Sequence, residues 1–396
     1  MQNFYKVKST SLGRLTVSLI MGAATSAMLM SAVCMPASAG DTSEVWNLFQ
    51  GAPKIKDDNG NYWKLRGRIL WDGASISETK TNGLENKFKD SEFRAARIGI
   101  EGQYQQFKYK AEVDFGGGKT TAKDVNVTWK GPVAVTVGQM KAGGSMEELN
   151  SGRHVTFTER GMITDAVGFD RRIGINVGKS GDTYSLNAGV FGNSIDGAVD
   201  GAPSNTVFAA RATYAPIIRK NMIVHVGASL RHTDTQRGAP SRSARWGSHL
   251  ATEKVKPNVG DDAMLIGAEL ATVQGPFHLH GEYMNEDGDS GSVEGGFIQA
   301  GYFLTGETRK YKSSGGKFDR TKPGKPLSKG GIGAWEVAAR LDSLDATNAF
   351  DEKVGSWTAG LTWYPESHLR LKLNYTDASG DTFSAKGIYT RLQVDW

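Results

Sequence analysis

The stretch FKYKAEVDF, at residues 107–115, alternates polar and apolar side chains without interruption. In an extended strand its charged residues share one face and its apolar residues share the other; the charged set is Lys108, Lys110, Glu112 and Asp114. A strand of this kind separates water from an apolar medium. The same alternation recurs to the C-terminus in segments of roughly ten residues, which is the length and period of a membrane-spanning strand.

Across the whole chain, this alternation predicts sixteen strands. Tight turns such as Gly131-Pro132 alternate with long loops at 141–171 and 232–262. After Val33 no apolar run approaches the roughly 18 residues that a membrane-spanning helix needs. We therefore expect an all-β fold, a 16-stranded antiparallel transmembrane β-barrel with a lumen open to water. The expected strands are 62–74, 92–103, 107–115, 124–130, 133–140, 172–179, 183–193, 206–215, 222–231, 263–273, 277–285, 296–305, 335–342, 357–364, 368–376 and 387–396.

The N-terminus has the composition of a secretory signal peptide. A basic start precedes an apolar stretch at 15–33, and Ala37-Ser38-Ala39 is a cleavage signature. We expect Sec-type cleavage near Ala39-Gly40. The only cysteine, Cys34, leaves with the signal, and a chain without thiols suits an oxidising periplasm.

These boundaries divide the chain into a signal peptide at 1–39, a short periplasmic segment at 40–60 and a barrel at 61–396 in the bacterial outer membrane. The formal net charge is +5, but the basic residues of the signal contribute to it and no acidic residue lies there. Little net charge therefore remains in the mature chain. The positions of the charges, rather than their sum, must indicate what the protein binds.

The alternatives to a membrane barrel have weaker support. A soluble all-β protein would bury its apolar strand faces against one another, but a signal peptide and charges along most polar faces favour a barrel. Gly116-Gly117-Gly118-Lys119 lacks the spacing of a phosphate loop, and no Gly-x-Ser-x-Gly elbow is present. His278 and His280 share a face, yet the sequence offers no clear third metal ligand. We expect no enzyme activity, metal or cofactor.

With lipid outside the barrel, the polar strand faces must point into the lumen. The basic residues assigned to the lumen outnumber the acidic ones, and most are arginines. A guanidinium donates two parallel hydrogen bonds to an oxyanion and does not lose its charge. The alternative interpretation at each position is that the basic side chain forms an ion pair with an acidic residue that also points into the lumen. The predicted anion-path residues are Arg66, Arg68, Arg97, Arg172, Arg211, Arg231, Arg340, Arg370, Arg391, Lys108 and Lys110.

The connection at 306–334 departs from the expected alternation of loop lengths. Counted back from the C-terminus it lies at the periplasmic end, where turns are short, yet it is long and basic. We expect it to fold back into the lumen as part of a constriction; an exposed periplasmic turn is the alternative. The loop at 141–171 is a second candidate for the constriction. The basic residues of the long connection that we assign to a constriction are Lys310, Lys312, Lys317, Arg320, Lys322 and Lys325.

Several short blocks of the barrel are distinctive: Leu65-Arg66-Gly67-Arg68, Phe93-Arg94-Ala95-Ala96-Arg97, Gly301-Tyr302-Phe303-Leu304-Thr305-Gly306, Gly333-Ala334-Trp335-Glu336-Val337-Ala338-Ala339-Arg340, Leu361-Thr362-Trp363-Tyr364-Pro365 and Arg391-Leu392-Gln393-Val394-Asp395-Trp396. With these blocks the chain resembles the phosphate-selective porin O and P family over nearly all of residues 60–396. Its final residue is Trp396, where the family usually has Phe, and Arg94-Ala95 stands where the family has a doubled arginine.

The resemblance implies a homotrimeric outer-membrane anion porin with inward-folded loops and an arginine-lined path. Its expected function is passive diffusion of anions, phosphate or polyphosphate among them. A general or carbohydrate-selective porin is the alternative, and aromatic residues free to stack on sugars inside the lumen would favour it. The expected partners are small anions, outer-membrane lipid and lipopolysaccharide, with no nucleic acid.

Overall fold

The computed structural model describes residues 51–197, 205–235 and 242–396. Sixteen long antiparallel strands, β1 to β16, each pair with the next strand along the chain, and β16 pairs back with β1 from Arg68↔Asp395 to Lys80↔Phe383. The expected 16-stranded antiparallel barrel is thereby confirmed. The strands are β1 Tyr62–Lys80, β2 Glu85–Tyr104, β3 Phe107–Asp114, β4 Thr121–Lys130, β5 Ala134–Lys141, β6 Arg171–Ser180, β7 Tyr184–Phe191, β8 Asn205–Arg219, β9 Met222–Thr235, β10 Asp262–Gln274, β11 Phe277–Gly288, β12 Gly291–Phe303, β13 Ala334–Asp345, β14 Lys353–Glu366, β15 Leu369–Gly380 and β16 Phe383–Asp395.

The first hairpin is longer than the sequence predicted. The alternation placed its strand ends at 74 and 92, whereas pairing continues through β1 and β2 to a turn at 81–84. Residues 75–91 carry polar side chains on both strand faces. The alternation of polar and apolar residues therefore ends here, although the hydrogen bonds between the two strands continue. The hydrophobic pattern is required only where lipid contacts the strand, and here the ladder extends beyond that zone.

The barrel strands expose apolar side chains on one face and bury polar ones on the other. On β13, Val337 and Leu341 are 39% and 63% exposed, whereas Glu336, Arg340 and Asp342 are buried. This distribution is the reverse of that in a soluble protein. An apolar medium outside the wall and polar contacts inside it account for both faces.

The two rims of the barrel differ in their connections. At the terminal rim, where β1 begins and β16 ends, the turns are as short as 105–106 and 275–276, with the exception of the segment 304–333. The opposite rim, here called the loop rim, has the long connections 142–170 and 236–261. Trp335 and Trp363 stack near the terminal rim with ring centroids 5.4 Å apart, as in an interfacial aromatic belt.

Three short helices lie in the loop-rim connections. Helices α1 (Met146–Leu149) and α2 (Met162–Ala166) belong to the 142–170 loop, and α3 (Thr347–Phe350) joins β13 to β14. Ser145 caps α1 by accepting a hydrogen bond from the Glu148 N–H. Among the described residues, the helices are too short or too polar to cross a membrane.

The apolar core of the molecule lies inside the barrel, toward the loop rim. Met162 and Ile163 of α2 pack with Trp246 of the 236–261 loop and with Phe297 and Leu344 of the wall. These side chains are 5% exposed or less. Two loops from the same rim therefore fold into the lumen and are held there by burial of apolar surface.

The described part of the basic loop at 232–262 faces inward. Arg242 pairs with Glu286 at 2.8 Å, and Arg245 pairs with Asp165 at 3.1 Å. These guanidiniums therefore hold the loop against the lumen wall and against the 142–170 loop.

The predicted signal peptide at 1–39 and the first part of the 40–60 segment lie outside the described residues, which begin at residue 51. In the remainder of that segment, Lys54–Lys56 pairs antiparallel with Tyr62–Lys64 at the start of β1.

Gly138 allows β5 to approach β4 closely. Its φ is +117°, and an added Cβ would lie 2.3 Å from the carbonyl oxygen of Val125. We expect Gly138→Ala to lower the free energy of unfolding by about 2 kcal/mol, measured as a shift of the urea midpoint in detergent micelles. Gly355→Ala is the matched control, because a Cβ there meets nothing within 4 Å. An equal shift in both variants would contradict the steric explanation.

Candidate functional site

The 142–170 loop crosses the lumen and is bound there by acidic and amide side chains that accept hydrogen bonds from its backbone. The Met146 N–H donates to Glu269 at 2.7 Å, and the Glu147 N–H donates to Glu282 at 2.6 Å. Farther along, Thr158 and Met162 donate their N–H groups to Asn374 and Asp342; the distances are 2.8 and 2.9 Å. A segment without regular secondary structure is stable in the lumen only if its backbone polar groups find such partners.

Basic side chains of the barrel wall bind the same loop through its carbonyl groups. Lys372 donates to the carbonyls of Val155 and Phe157 at 2.7 and 2.8 Å. Four arginines of β9, β13, β15 and β16 do the same, each within 3.0 Å of a loop carbonyl: Arg231 on Val167, Arg340 on Glu159, Arg370 on Arg153 and Arg391 on Thr158. These four arginines, all predicted anion-path residues, are 3% exposed or less, and the loop covers them.

Arg211 of β8 is held in a similar way by the segment 304–333, which also folds into the lumen. It pairs with Glu269 and donates to the backbone carbonyls of Gly315 and Gly316. Its side chain is buried. The sequence assigned Arg211 to the anion path, and the structure uses its hydrogen-bond donors to anchor the segment 304–333.

The segment 304–333 enters the lumen from the terminal rim. Arg309 donates to the His154 carbonyl at 2.9 Å, and Lys317 donates to the Leu149 carbonyl at 3.1 Å. Arg320 pairs with Asp395 at the end of β16. The segment therefore contacts the 142–170 loop rather than forming an exposed turn. The remaining predicted constriction residues, Lys310, Lys312, Lys322 and Lys325, are exposed and form no ion pair within the described part of the chain.

The wall that faces these insertions carries an arginine cluster, which we define as Arg66, Arg68 and Arg97 around Glu112. Their nitrogens lie 3.3, 3.3 and 3.2 Å from the Glu112 carboxylate. Strand register brings them together, because Arg68 and Arg97 are directly opposite on β1 and β2. Asp114 pairs with Arg97 at 2.6 Å. Arg66 also pairs with Glu101, which binds Lys64 as well, so four cationic side chains meet three carboxylates in this region and one positive charge remains in excess.

A loop arginine extends this positive region toward the other side of the lumen. Arg153 pairs with Asp395 at 3.5 Å. Burial lowers the pKa of Arg153, Asp395 opposes that effect, and Arg66 and Arg320 lower it further. Guanidiniums from the wall, the loop and the segment 304–333 therefore act on one another electrostatically in one region of the lumen.

A second basic region runs along β3, β4 and β6. Asp124 is shared between Lys110 and Arg171, and Arg171 lies 2.7 Å from it. Lys108 is exposed toward the lumen. Arg172 lies over the Phe169 ring at 4.3 Å and donates to a backbone carbonyl. Lys108 and Lys110 thus remain less covered, whereas Arg172 lies against the same loop residue, Phe169, as Arg231 of β9.

Arg94 is a lumenal residue that the sequence did not identify. A β-bulge at this residue shifts the β1–β2 register between Leu70 and Trp71, which turns Arg94 inward to pair with Glu159 at 3.1 Å. Burial raises the pKa of Glu159, but Arg94 and Arg391 outweigh it and hold that pKa below its usual range. Strict alternation cannot find such a residue, because one extra residue reverses the faces.

Comparison with known proteins gives a consistent result. The family model for the phosphate-selective porin O and P family matches residues 63–387. An uncharacterized protein of Caulobacter vibrioides is 32% identical over 86% of this chain and 72% of its own, and Porin O of Pseudomonas aeruginosa is 26% identical over 84% and 87%. Among solved structures, an anion-selective porin from Comamonas acidovorans superimposes with a TM-score of 0.55 at 13% identity, covering 85% of this chain and 100% of that one; this likeness concerns the fold.

The role of Lys372 as an anchor can be tested directly. Lys372→Met leaves two loop carbonyls without their charged donor, so we expect the free energy of loop opening to fall by about 3 kcal/mol. Trypsin should then cut the folded protein after Arg153 or Arg160 about a hundredfold faster. Lys130→Met is the control, because Lys130 donates to Gln103 and does not contact the loop. Unchanged protection of the loop in Lys372→Met would exclude the anchoring role.

Proposed function

The chain belongs to the phosphate-selective porin O and P family, and from this premise we propose that its barrel conducts small anions by passive diffusion, with phosphate or polyphosphate as the preferred class. As an outer-membrane porin it is a channel rather than an enzyme. Passive diffusion requires no cofactor and no covalent step. The protein lowers the electrostatic barrier that an anion meets when it leaves bulk water.

The arginine cluster around Glu112 carries this proposal. The three guanidiniums share Glu112, and Glu101 and Asp114 each bind one of them as well, while Lys64 brings the count to four cations against three carboxylates. Arg153 adds a further guanidinium from the inserted loop. The shared carboxylates reduce repulsion between the arginines without neutralising them all. An anion in this region meets several donors that are already partly engaged, so it is attracted without being held tightly at any one of them.

Guanidinium geometry supports phosphate as the preferred class. Each planar group matches two oxygens of an oxyanion and stays protonated at any physiological pH. Lys108 and Lys110 continue the basic surface along β3. Weak sites in succession allow an anion to move from one to the next.

The carbohydrate-selective alternative has less support. Sugar recognition uses exposed aromatic faces, and the lumenal rings of the described residues are covered. Arg172 and Arg231 lie over Phe169 at 4.3 and 4.0 Å, and Arg340 lies over Phe157 at 4.9 Å. Liposome swelling with neutral sugars should therefore be slow compared with anion flux.

We include in the proposal the partners inferred from the sequence. The assembly is a homotrimer in the outer membrane, in contact with lipid and lipopolysaccharide. Uncovered apolar side chains such as Ile266 and Leu341, 61% and 63% exposed, need lipid or a neighbouring subunit as their surroundings.

Two substitutions in the arginine cluster should change ion selectivity in opposite directions. Arg97→Gln removes a lumenal positive charge, so the permeability of chloride relative to potassium should fall about threefold; Glu112→Gln removes the shared negative charge and should raise that ratio by a similar factor. Reversal potentials in planar bilayers under a potassium chloride gradient measure both. Lys179→Gln, on the outer face of β6, is the control. A cation-selective wild-type pore, or changes of the same sign, would contradict the proposal.

The selectivity should also depend on pH through Lys317. Burial lowers its pKa to about 8, and the nearby Lys312, Lys110 and Arg211 contribute in the same direction. Lys317 is therefore charged at pH 7 and mostly neutral at pH 9, so the chloride preference should decline over that interval. Lys317→Arg keeps its charge and should flatten the decline. An identical decline in Lys317→Arg would assign the pH dependence to other groups.

A further inference from the structure

A groove of about 600 Å³ lies on the outer face of the barrel, where β15, β16, β1 and β2 approach the loop rim. Its walls combine amine and hydroxyl groups with an apolar floor. The polar side chains that line it are Lys87, Lys89, Lys386, Ser75, Ser77 and Tyr375. The lumen does not contain this groove, because these positions alternate with inward-facing residues such as Ile76 and Glu78.

Strand register arranges the basic groups in a row across three strands. Ser77 of β1 is paired with Lys386 of β16 on one side and with Lys87 of β2 on the other. In the next outward-facing row, Ser75 is paired with Ile388 and with Lys89. A hydroxyl between two amines gives three donors on one flat surface, which suits a phosphate group.

Two of the three lysines have no carboxylate partner within the described residues. Lys87 pairs with Glu85 at 2.6 Å. Lys386 stands opposite Asp377 on β15 and interacts electrostatically with Glu85, but it forms an ion pair with neither carboxylate. Lys89 and Lys386 therefore present their charges to whatever covers the groove.

The depth of the groove matches a lipid headgroup. Trp71 and Phe93 are paired on β1 and β2, and both are exposed on the outer face, as aromatic residues are at a membrane interface. Ser75 follows Trp71 by about 13 Å along the strand. The lysines thus lie just beyond the aromatic residues, and Ile388, which is 50% exposed, faces the apolar side.

We propose that this groove binds the phosphate groups of a phosphorylated glycolipid of the outer leaflet, with an acyl chain of that lipid on Ile388. Lys89 and Lys386 contact the phosphates, and Ser75 and Ser77 donate hydrogen bonds to them. The terminal rim then faces the periplasm and the loop rim the cell exterior. This proposal rests on the outer-membrane location and lipopolysaccharide contact of the proposed function, but the groove lies outside the ion path and is independent of anion selectivity in the lumen.

Native mass spectrometry of the full-length, delipidated protein with diphosphorylated lipid A tests the proposal. Combining Lys87→Gln, Lys89→Gln and Lys386→Gln should weaken retention of lipid A by about fivefold each for Lys89 and Lys386, with a smaller contribution from Lys87, which is paired with Glu85. Lys179→Gln, an exposed lysine on the outer face near the terminal rim, should leave retention unchanged. Monophosphorylated lipid A should bind the wild type more weakly than the diphosphorylated form.

Several results would overturn the proposal. Retention of lipid A by the triple variant at the wild-type level, or an equal loss in Lys179→Gln, would show binding that is not specific to the groove. Displacement of lipid A by equimolar inorganic phosphate would identify free phosphate as the ligand. In planar bilayers the triple variant should keep the wild-type chloride-to-potassium ratio. A changed ratio would show that these lysines lie in the ion path. Failure of the wild-type pore to select anions would contradict only the proposed function and not this lipid site.

Discussion

The structure depends on hydrogen bonds between charged side chains of the barrel wall and the backbone of the loop that crosses its lumen. Glu269 and Asp342 accept from the loop N–H groups, and Lys372 and Arg391 donate to its carbonyls. Without these contacts a loop with little helix would leave many polar groups unpaired in a confined space. The loop covers the basic side chains of β9, β13, β15 and β16, here called the closed side. The arginines of β1 and β2, here called the open side, are less covered, with 8–13% of their side chains exposed.

This division gives the lumenal charges two different tasks. On the closed side, Arg231, Arg340 and Arg370 are buried and each donates to a carbonyl group of the loop, while the Nε of each has no hydrogen-bond partner among the described residues. On the open side, the guanidiniums of the arginine cluster share Glu112 and bind Glu101 and Asp114 as well. Removing an arginine from the closed side would disturb the loop, whereas removing one from the open side changes the field that an ion experiences. Arginine therefore anchors the loop where the loop covers it, and in the proposed function it acts on permeating anions where it is less covered.

The outer surface follows a separate rule, because lipid rather than water surrounds it. Apolar side chains cover the strands where the bilayer core contacts them, and the polar residues 75–91 follow beyond the aromatic pair of Trp71 and Phe93. The long first hairpin is part of this pattern. Its ladder continues past the hydrophobic zone and carries lysines beyond that aromatic pair.

The sequence by itself determined the barrel, because a strand between lipid and water must alternate, and all sixteen strands follow from that period. It also determined which strand faces are basic, and that the connection before β13 is unusually long. Only the tertiary structure decided which arginines face open lumen. That choice depends on the path of the 142–170 loop, whose partners, such as Asn374 and Glu282, are distant in sequence. It also decided the inward position of Arg94, because a β-bulge reverses the strand faces without a signal in the alternation.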